Sequence, residues 1–202
     1  MDLIEELLVL AGVPLDETKR LDEMKEKDAG VDVSTEPRPS LADAVYDFVI
    51  MLTENPNAQK QFVRTKAKVL IKMGEHIELQ EVCVLIGQYD KIKGNGKPIL
   101  GFSVRHILSH ILENEADMNY RDDNPSKATL MEICDALEAV ELELKRRAEE
   151  NRPFVIDGTQ RNPSCGVTVK SNGRKFRASI GVASKSDEIP FLITIYPLGR
   201  VN

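Results

Sequence analysis

The clearest hydrophobic and polar pattern in the chain flanks Asn172-Gly173, in the stretch CGVTVKSNGRKFRASIGV at 165–182. Strand side chains alternate between faces, and Asn-Gly supplies the two positive-φ residues of a type I′ turn. A two-residue loop sets the register. Ser171 faces Arg174, Lys170 faces Lys175, Val169 faces Phe176, Thr168 faces Arg177 and Val167 faces Ala178. Cys165, Val167, Val169, Phe176, Ala178, Ile180 and Val182 then share an apolar face. Thr168, Lys170, Lys175, Arg177 and Ser179 share a polar one. A lone hairpin is marginal in water, so the apolar face needs a cover. FLITIY at 191–196, between Pro190 and Pro197, reads as a partner strand. Phe154-Val155-Ile156 reads as a short fourth.

Upstream the spacing reads as helical. Leu3, Leu7 and Leu10 form one stripe of a short N-terminal helix that Gly12 and Pro14 stop. Ser40 caps a helix to Asn55, with Asp43 as its capping-box partner and Leu41, Ala44, Val45, Phe48 and Leu52 buried. Pro56 opens a further helix to about Met73, with Phe62, Val69, Leu70 and Met73 on its apolar side and Gly74 as its stop. Leu79 to Tyr89 is dense in β-branched residues and fits a buried helix or a strand; its place among helices favours helix. Ser103 caps a helix to about Met118. Asn124-Pro125-Ser126 opens the longest one, to about Glu150, with Leu130, Ile133, Leu137, Val140 and Leu144 as a heptad seam. That seam packs on the helix at 41–54 or joins two copies. The expected fold is α+β: a mostly helical bundle with a small C-terminal antiparallel β-sheet built on the hairpin. The expected parts are a docking helix at 1–14, a charged flexible linker at 15–40, a helical domain at 41–152 and a β element at 153–202.

Charge sharpens this division. The chain of 202 residues carries a net −6. Residues 1–40 hold 5 basic and 11 acidic side chains, residues 41–150 hold 14 and 19, and residues 151–202 hold 8 and 3. An acidic front and a basic tail can attract each other within one molecule or between copies. No run approaches the ~20 apolar residues of a membrane span. The acidic Asp2, Glu5 and Glu6 stand where a secretory signal would be basic. Three distant cysteines, Cys83, Cys134 and Cys165, without metal spacing, suit a reducing cytoplasm.

The opening LIEELLVLAGV and the charged stretch after it resemble the front end of small accessory or virion proteins of tailed bacteriophages. The resemblance spans about the first forty residues. It implies an assembly or host-interaction role, in the host cytoplasm or the virion, and assigns no site residues.

Candidate chemistry is sparse. Leu3, Leu7 and Leu10 form a protein-docking stripe, facing a partner or the chain's own core. Lys170, Arg174, Lys175 and Arg177 offer a basic hairpin face. Lys170 opposite Lys175 is a like-charge pair that an anion would relieve, while exposed lysines also guard strands against aggregation. Lys60, Arg64, Lys68 and Lys72 recur every four residues, as a phosphate-tracking ridge or as a solvated face. His106, His110 and Glu113 share one face of a helix at metal-ligand spacing, equally the polar stripe of a core helix. Gly94 and Gly96 lack the GK[ST] ending of a phosphate loop. No pattern calls for a metal or cofactor.

These features point to a non-enzymatic interaction or assembly protein that binds a protein partner or itself. A nucleic-acid-binding regulator using the basic face is the alternative. A ribonuclease-like domain using Lys170, Lys175, Arg177, Thr194 and Tyr196 is a further one, and it lacks a histidine near those residues in sequence.

Overall fold

The computed structural model describes residues 37–58, 61–89, 91–92, 98–99, 101–112, 127–157, 159, 162–183 and 188–198. In chain order these form α1 (Leu41–Glu54), β1 (Phe62–Met73), β2 (His76–Leu85), β3 (Lys91–Ile92), β4 (Pro98–Ile99), α2 (Ser103–Ile107), α3 (Leu130–Glu149), β5 (Phe154–Ile156), β6 (Ser164–Ser171), β7 (Arg174–Gly181) and β8 (Phe191–Leu198). A 3-10 turn, Leu108–His110, continues α2.

Six strands make one sheet in the order β5-β1-β2-β8-β7-β6. Its two end strands, β5 and β6, touch, so the sheet nearly closes on itself. The expected helical bundle with a small C-terminal sheet is therefore overturned: the fold is α+β, but the sheet dominates it. Residues 62–85 and 154–198 contribute strands to the same sheet.

The expected helix at 56–73 is strand β1. Val63, Thr65, Ala67, Val69, Ile71 and Met73 alternate with Arg64, Lys66, Lys68, Leu70 and Lys72, and the buried positions of the strand belong to the first set. A repeat of four suits a helix face, but it is also even, so it suits one face of a strand equally. Gly74, at φ 57°, takes the first position of a two-residue turn, and Met73 faces His76. The residues from 79 that read as helix mostly belong to β2, whose partner is β1. Reading one strand as helix removed the other strand's partner.

The C-terminal hairpin has the expected register, from Ser171 opposite Arg174 to Val167 opposite Ala178. Asn172 and Gly173 both hold positive φ, 49° and 75°. Asn172 Nδ2 also donates to Asp135 of α3 at 2.6 Å, which fixes the turn against the helix. β8 pairs with β7, as expected of FLITIY.

Helices α1 and α3 fill the inside of the sheet. Ser40 and Asp43 form the expected capping box on α1. The longest helix begins at Leu130, later than expected, because Thr129 and Glu132 form its own capping box. Ile133, Leu137, Val140 and Leu144 are buried in the core against α1 and the sheet, so the seam is used within the molecule. Glu141 of α3 accepts from the Leu41 backbone N–H at 3.0 Å, which satisfies a donor at the start of α1.

The sheet has one weak seam. β2 and β8 share a single bridge, Cys83 with Phe191. Two devices close the gap. Gln80 holds the chain after β7 through both ends of its amide: Nε2 donates to Ala183 O at 3.1 Å, and Oε1 accepts from Ala183 N at 3.0 Å. On the other side α2 lodges against β2 and β8. Ser103 does not cap that helix as expected. It takes φ 57° and is buried, and its Oγ accepts from Leu85 N at 3.1 Å. Among the described residues no helix is long and apolar enough to cross a membrane.

Candidate functional site

The register of β6, β7 and β8 builds a continuous outer face. Phe176 and Ala178 point into the core opposite Pro197 and Ile195. Lys175, Arg177 and Ser179 therefore point out, beside Leu198, Tyr196 and Thr194. Across the other side of β7 stand Lys170, Thr168 and Gly166. Lys170, Lys175 and Arg177 are exposed, and none of the three pairs with a carboxylate among the described residues. Arg177 leans over β6, since a Cβ at Gly166 would stand 2.8 Å from its Nη2.

The helix at the seam adds rings to this face. The His110 ring lies 5.4 Å from the Tyr196 ring at 35°. His106 stands edge-on to His110 at 5.0 Å. Both histidines are held in place because α2 is tied at many points. Gln88 and Phe102 exchange backbone hydrogen bonds at 3.0 Å, and Arg105 N donates to Ile86 O at 2.9 Å. The Arg105 side chain donates to Gly87 O at 3.2 Å and to Ala58 O at 2.9 Å, and it lies over the Tyr89 ring. The Thr194 hydroxyl is buried with no hydrogen-bond partner.

A cationic edge beside a tyrosine–histidine pair can hold phosphates and stack flat rings. The ribonuclease alternative lacked a histidine near these residues in sequence; the fold brings His110 to Tyr196 and His106 to His110. Nothing in the local sequence signals this, because α2 and β8 are eighty residues apart and meet only through the seam.

The other site residues are scattered. Arg174 turns away from the outer face. Its Nη1 lies 3.3 Å from Glu132 Oε2, its Nη2 donates to Lys127 O at 2.9 Å, and it lies over Phe176. Arg64 is 3.9 Å from Glu81, and Lys68 is opposite Glu81 in register. Lys72 lies between Val155 and Ile77. The basic ridge is thus on β1, with β2 and β8 between it and the hairpin on one side and β5 on the other. Lys60, Glu113, Leu3, Leu7 and Leu10 lie outside the described residues, as do Gly94 and Gly96. No group of three potential metal ligands occurs among the described residues.

The three cysteines are buried and free. Burial pushes the Cys83 and Cys165 thiols up to about 12 and the Cys134 thiol up to about 11. A thiol held neutral is a poor nucleophile, so these three serve the core. Compared with protein-family models, with curated proteins and with solved structures, the chain matches none.

Proposed function

We propose that the chain is a binding protein whose outer β6–β8 face takes single-stranded nucleic acid. The observation that carries this reading is the placement of Lys170, Lys175 and Arg177, without acidic partners among the described residues, beside the Tyr196–His110 ring pair. The cations meet phosphates, and the half-buried Tyr196–His110 pair offers ring surface to a base. The like-charge opposition of Lys170 and Lys175 favours an anion between them.

The test is fluorescence anisotropy of labelled DNA and RNA strands of about 20 nucleotides, a length that spans one such face. Binding is expected at low salt. Log affinity should fall against log salt with a slope of about −2, as three phosphate contacts to a single strand imply. The triple variant Lys170→Ala, Lys175→Ala, Arg177→Ala should abolish that slope. No anisotropy change at low salt would refute the reading.

A second reading is favoured by one contact, His110 against Tyr196. A histidine beside a basic face is the group that RNA cleavage needs for proton transfer. Running the same RNA on a denaturing gel after incubation decides it. Intact RNA leaves binding alone, and cut RNA that survives with His110→Ala removes the histidine from any such role.

A further inference from the structure

The other half of the outer face is apolar. Strands β5, β1 and β2 place Val155, Lys72 and Ile77 in one row, and Leu70 and Leu79 in the next. Val155 is 80% exposed, Ile77 46% and Leu79 46%, with Leu70 half-buried beside them. Lys72 and Lys68 stand among these groups on the same face. A stretch of apolar side chains on an open sheet face marks a docking surface.

The chain itself enters beside this patch. Arg38 pairs with Glu81 on β2, and Lys66 N donates to Pro39 O at 3.0 Å in the irregular part of β1. Glu81 is two positions from Leu79 on the same face, about 7 Å along the strand. The described chain begins at Pro37, next to Arg38, so the 36 residues before it are joined to the fold at the margin of the patch. They include the stripe of Leu3, Leu7 and Leu10, with Asp2, Glu5 and Glu6 beside it.

We infer that residues 2–11 of this same chain dock as a helix on the outer β5–β1–β2 face. Three observations fit this occupant. The stripe is aliphatic, as the patch is. Its flanking side chains are acidic, and the patch carries Lys68 and Lys72, with Glu81 at its margin engaged by Arg38 and Arg64. The length also suits: as a helix the stripe from Leu3 to Leu10 would span about 10 Å, and three strands with two residue rows cover about 10 by 7 Å. The intervening residues 12–36 reach about 80 Å when extended, far more than the distance needed. Tethering holds the segment at millimolar effective concentration, so modest apolar contact suffices.

The experiment is hydrogen exchange with mass spectrometry on the whole chain and on Ile77→Thr/Leu79→Thr. Threonine keeps the strand preference while removing the apolar surface. Amides of residues 3–11 should exchange at least ~10-fold faster in the variant, with amides of β1, β2 and β8 unchanged. Light scattering on both proteins should give the monomer mass. Equal exchange of residues 3–11 in both proteins would overturn the inference. So would protection that disappears on dilution with a halving of mass, which would assign the patch to a second copy. Should the threonine pair disturb the sheet amides, Leu3→Asp/Leu7→Asp replaces it. That variant must then raise binding of an apolar dye to the sheet several-fold, and unchanged dye binding refutes the docking.

Discussion

Gly87 is where a single methyl group should do the most damage. It follows β2 at φ 73°, inside the pair of hydrogen bonds that Gln88 and Phe102 exchange. A Cβ there would stand 2.0 Å from Phe102 O, 2.8 Å from Ser103 Cβ and 2.9 Å from Phe102 C. Two of these three atoms are backbone, so no side-chain rotation relieves the overlap. Positive φ costs a residue with a Cβ about 1–2 kcal/mol. The overlap forces residues 87 and 102 apart and opens buried backbone hydrogen bonds, each about 1–3 kcal/mol when left unmade. Gly87→Ala should therefore lose about 3–5 kcal/mol, or about 10 °C in Tm for a chain of this size.

Gly74 and Gly173 are the controls. They hold φ 57° and 75°, yet nothing lies within 4 Å of a Cβ at either. Gly74→Ala and Gly173→Ala should cost only the conformational part, about 1 kcal/mol each. Thermal and urea unfolding of the three variants, side by side, separate strain from overlap. Equal losses at all three positions would refute the account of the seam. The same variant tests how the candidate site is assembled. Moving Phe102 moves α2, and α2 carries His106 and His110. Below its melting temperature Gly87→Ala should bind single strands more weakly than Gly74→Ala does.

The packing sets three further outcomes. Arg174→Ala should lower stability by about 1–3 kcal/mol, since it leaves Glu132 and Lys127 O short of a charged donor; Lys175→Ala should leave urea midpoints unchanged and weaken binding. Leu137→Ala, on the buried side of α3, should cost about 2–5 kcal/mol by chemical denaturation. The buried thiols titrate higher in the folded chain than unfolded, so their contribution is complete below pH 9 and falls as pH rises toward 12. Urea stability should drop by about 1 kcal/mol per thiol between pH 8 and pH 10, and a thiol reagent at pH 8 should label the cysteines only after unfolding. Cysteine-to-alanine variants with the same alkaline slope would contradict that assignment.

The hairpin was legible because its register depends on two adjacent residues and an alternation on each side. α1 was legible through Ser40 and Asp43, and α3 through its apolar spacing and its cap. β1 was legible too, but in a different set of residues. The lysines at every fourth position satisfy a helix and a strand alike. Only the odd-numbered Val63, Thr65, Ala67, Val69 and Ile71 distinguish them, and Thr65 and Ala67 are weakly apolar. Thr65 is buried because its hydroxyl donates to Val82 O at 2.7 Å, a cross-strand bond that no local pattern reveals. The candidate site was half legible. Lys170, Lys175 and Arg177 followed from the register, while Arg174 has the parity of Phe176 and Ala178, so the same register puts it on the inner side, where Glu132 and Lys127 O hold it. The approach of His110 to Tyr196 depends on how α2 fills a sheet seam, which is a tertiary event without a local signature.

Charge connects the two outer surfaces and makes a last prediction. Residues 1–40 carry 6 more acidic than basic side chains, and residues 151–202 carry 5 more basic than acidic. A free acidic segment competes with phosphates for Lys170, Lys175 and Arg177. A segment docked on β5–β1–β2 sets its acidic side chains beside Lys68 and Lys72 of that face, which leaves fewer of them to reach the β6–β8 cations. Ile77→Thr/Leu79→Thr should therefore weaken single-strand binding several-fold at about 25 mM salt, where charges act over about 20 Å. At about 150 mM salt the reach shrinks to about 8 Å and the difference should close. Neither threonine touches the basic face, so a direct contact cannot produce the loss. Tighter binding by the variant at low salt would show that the segment, when docked, already screens the lysines, and would reverse the relation between the two surfaces.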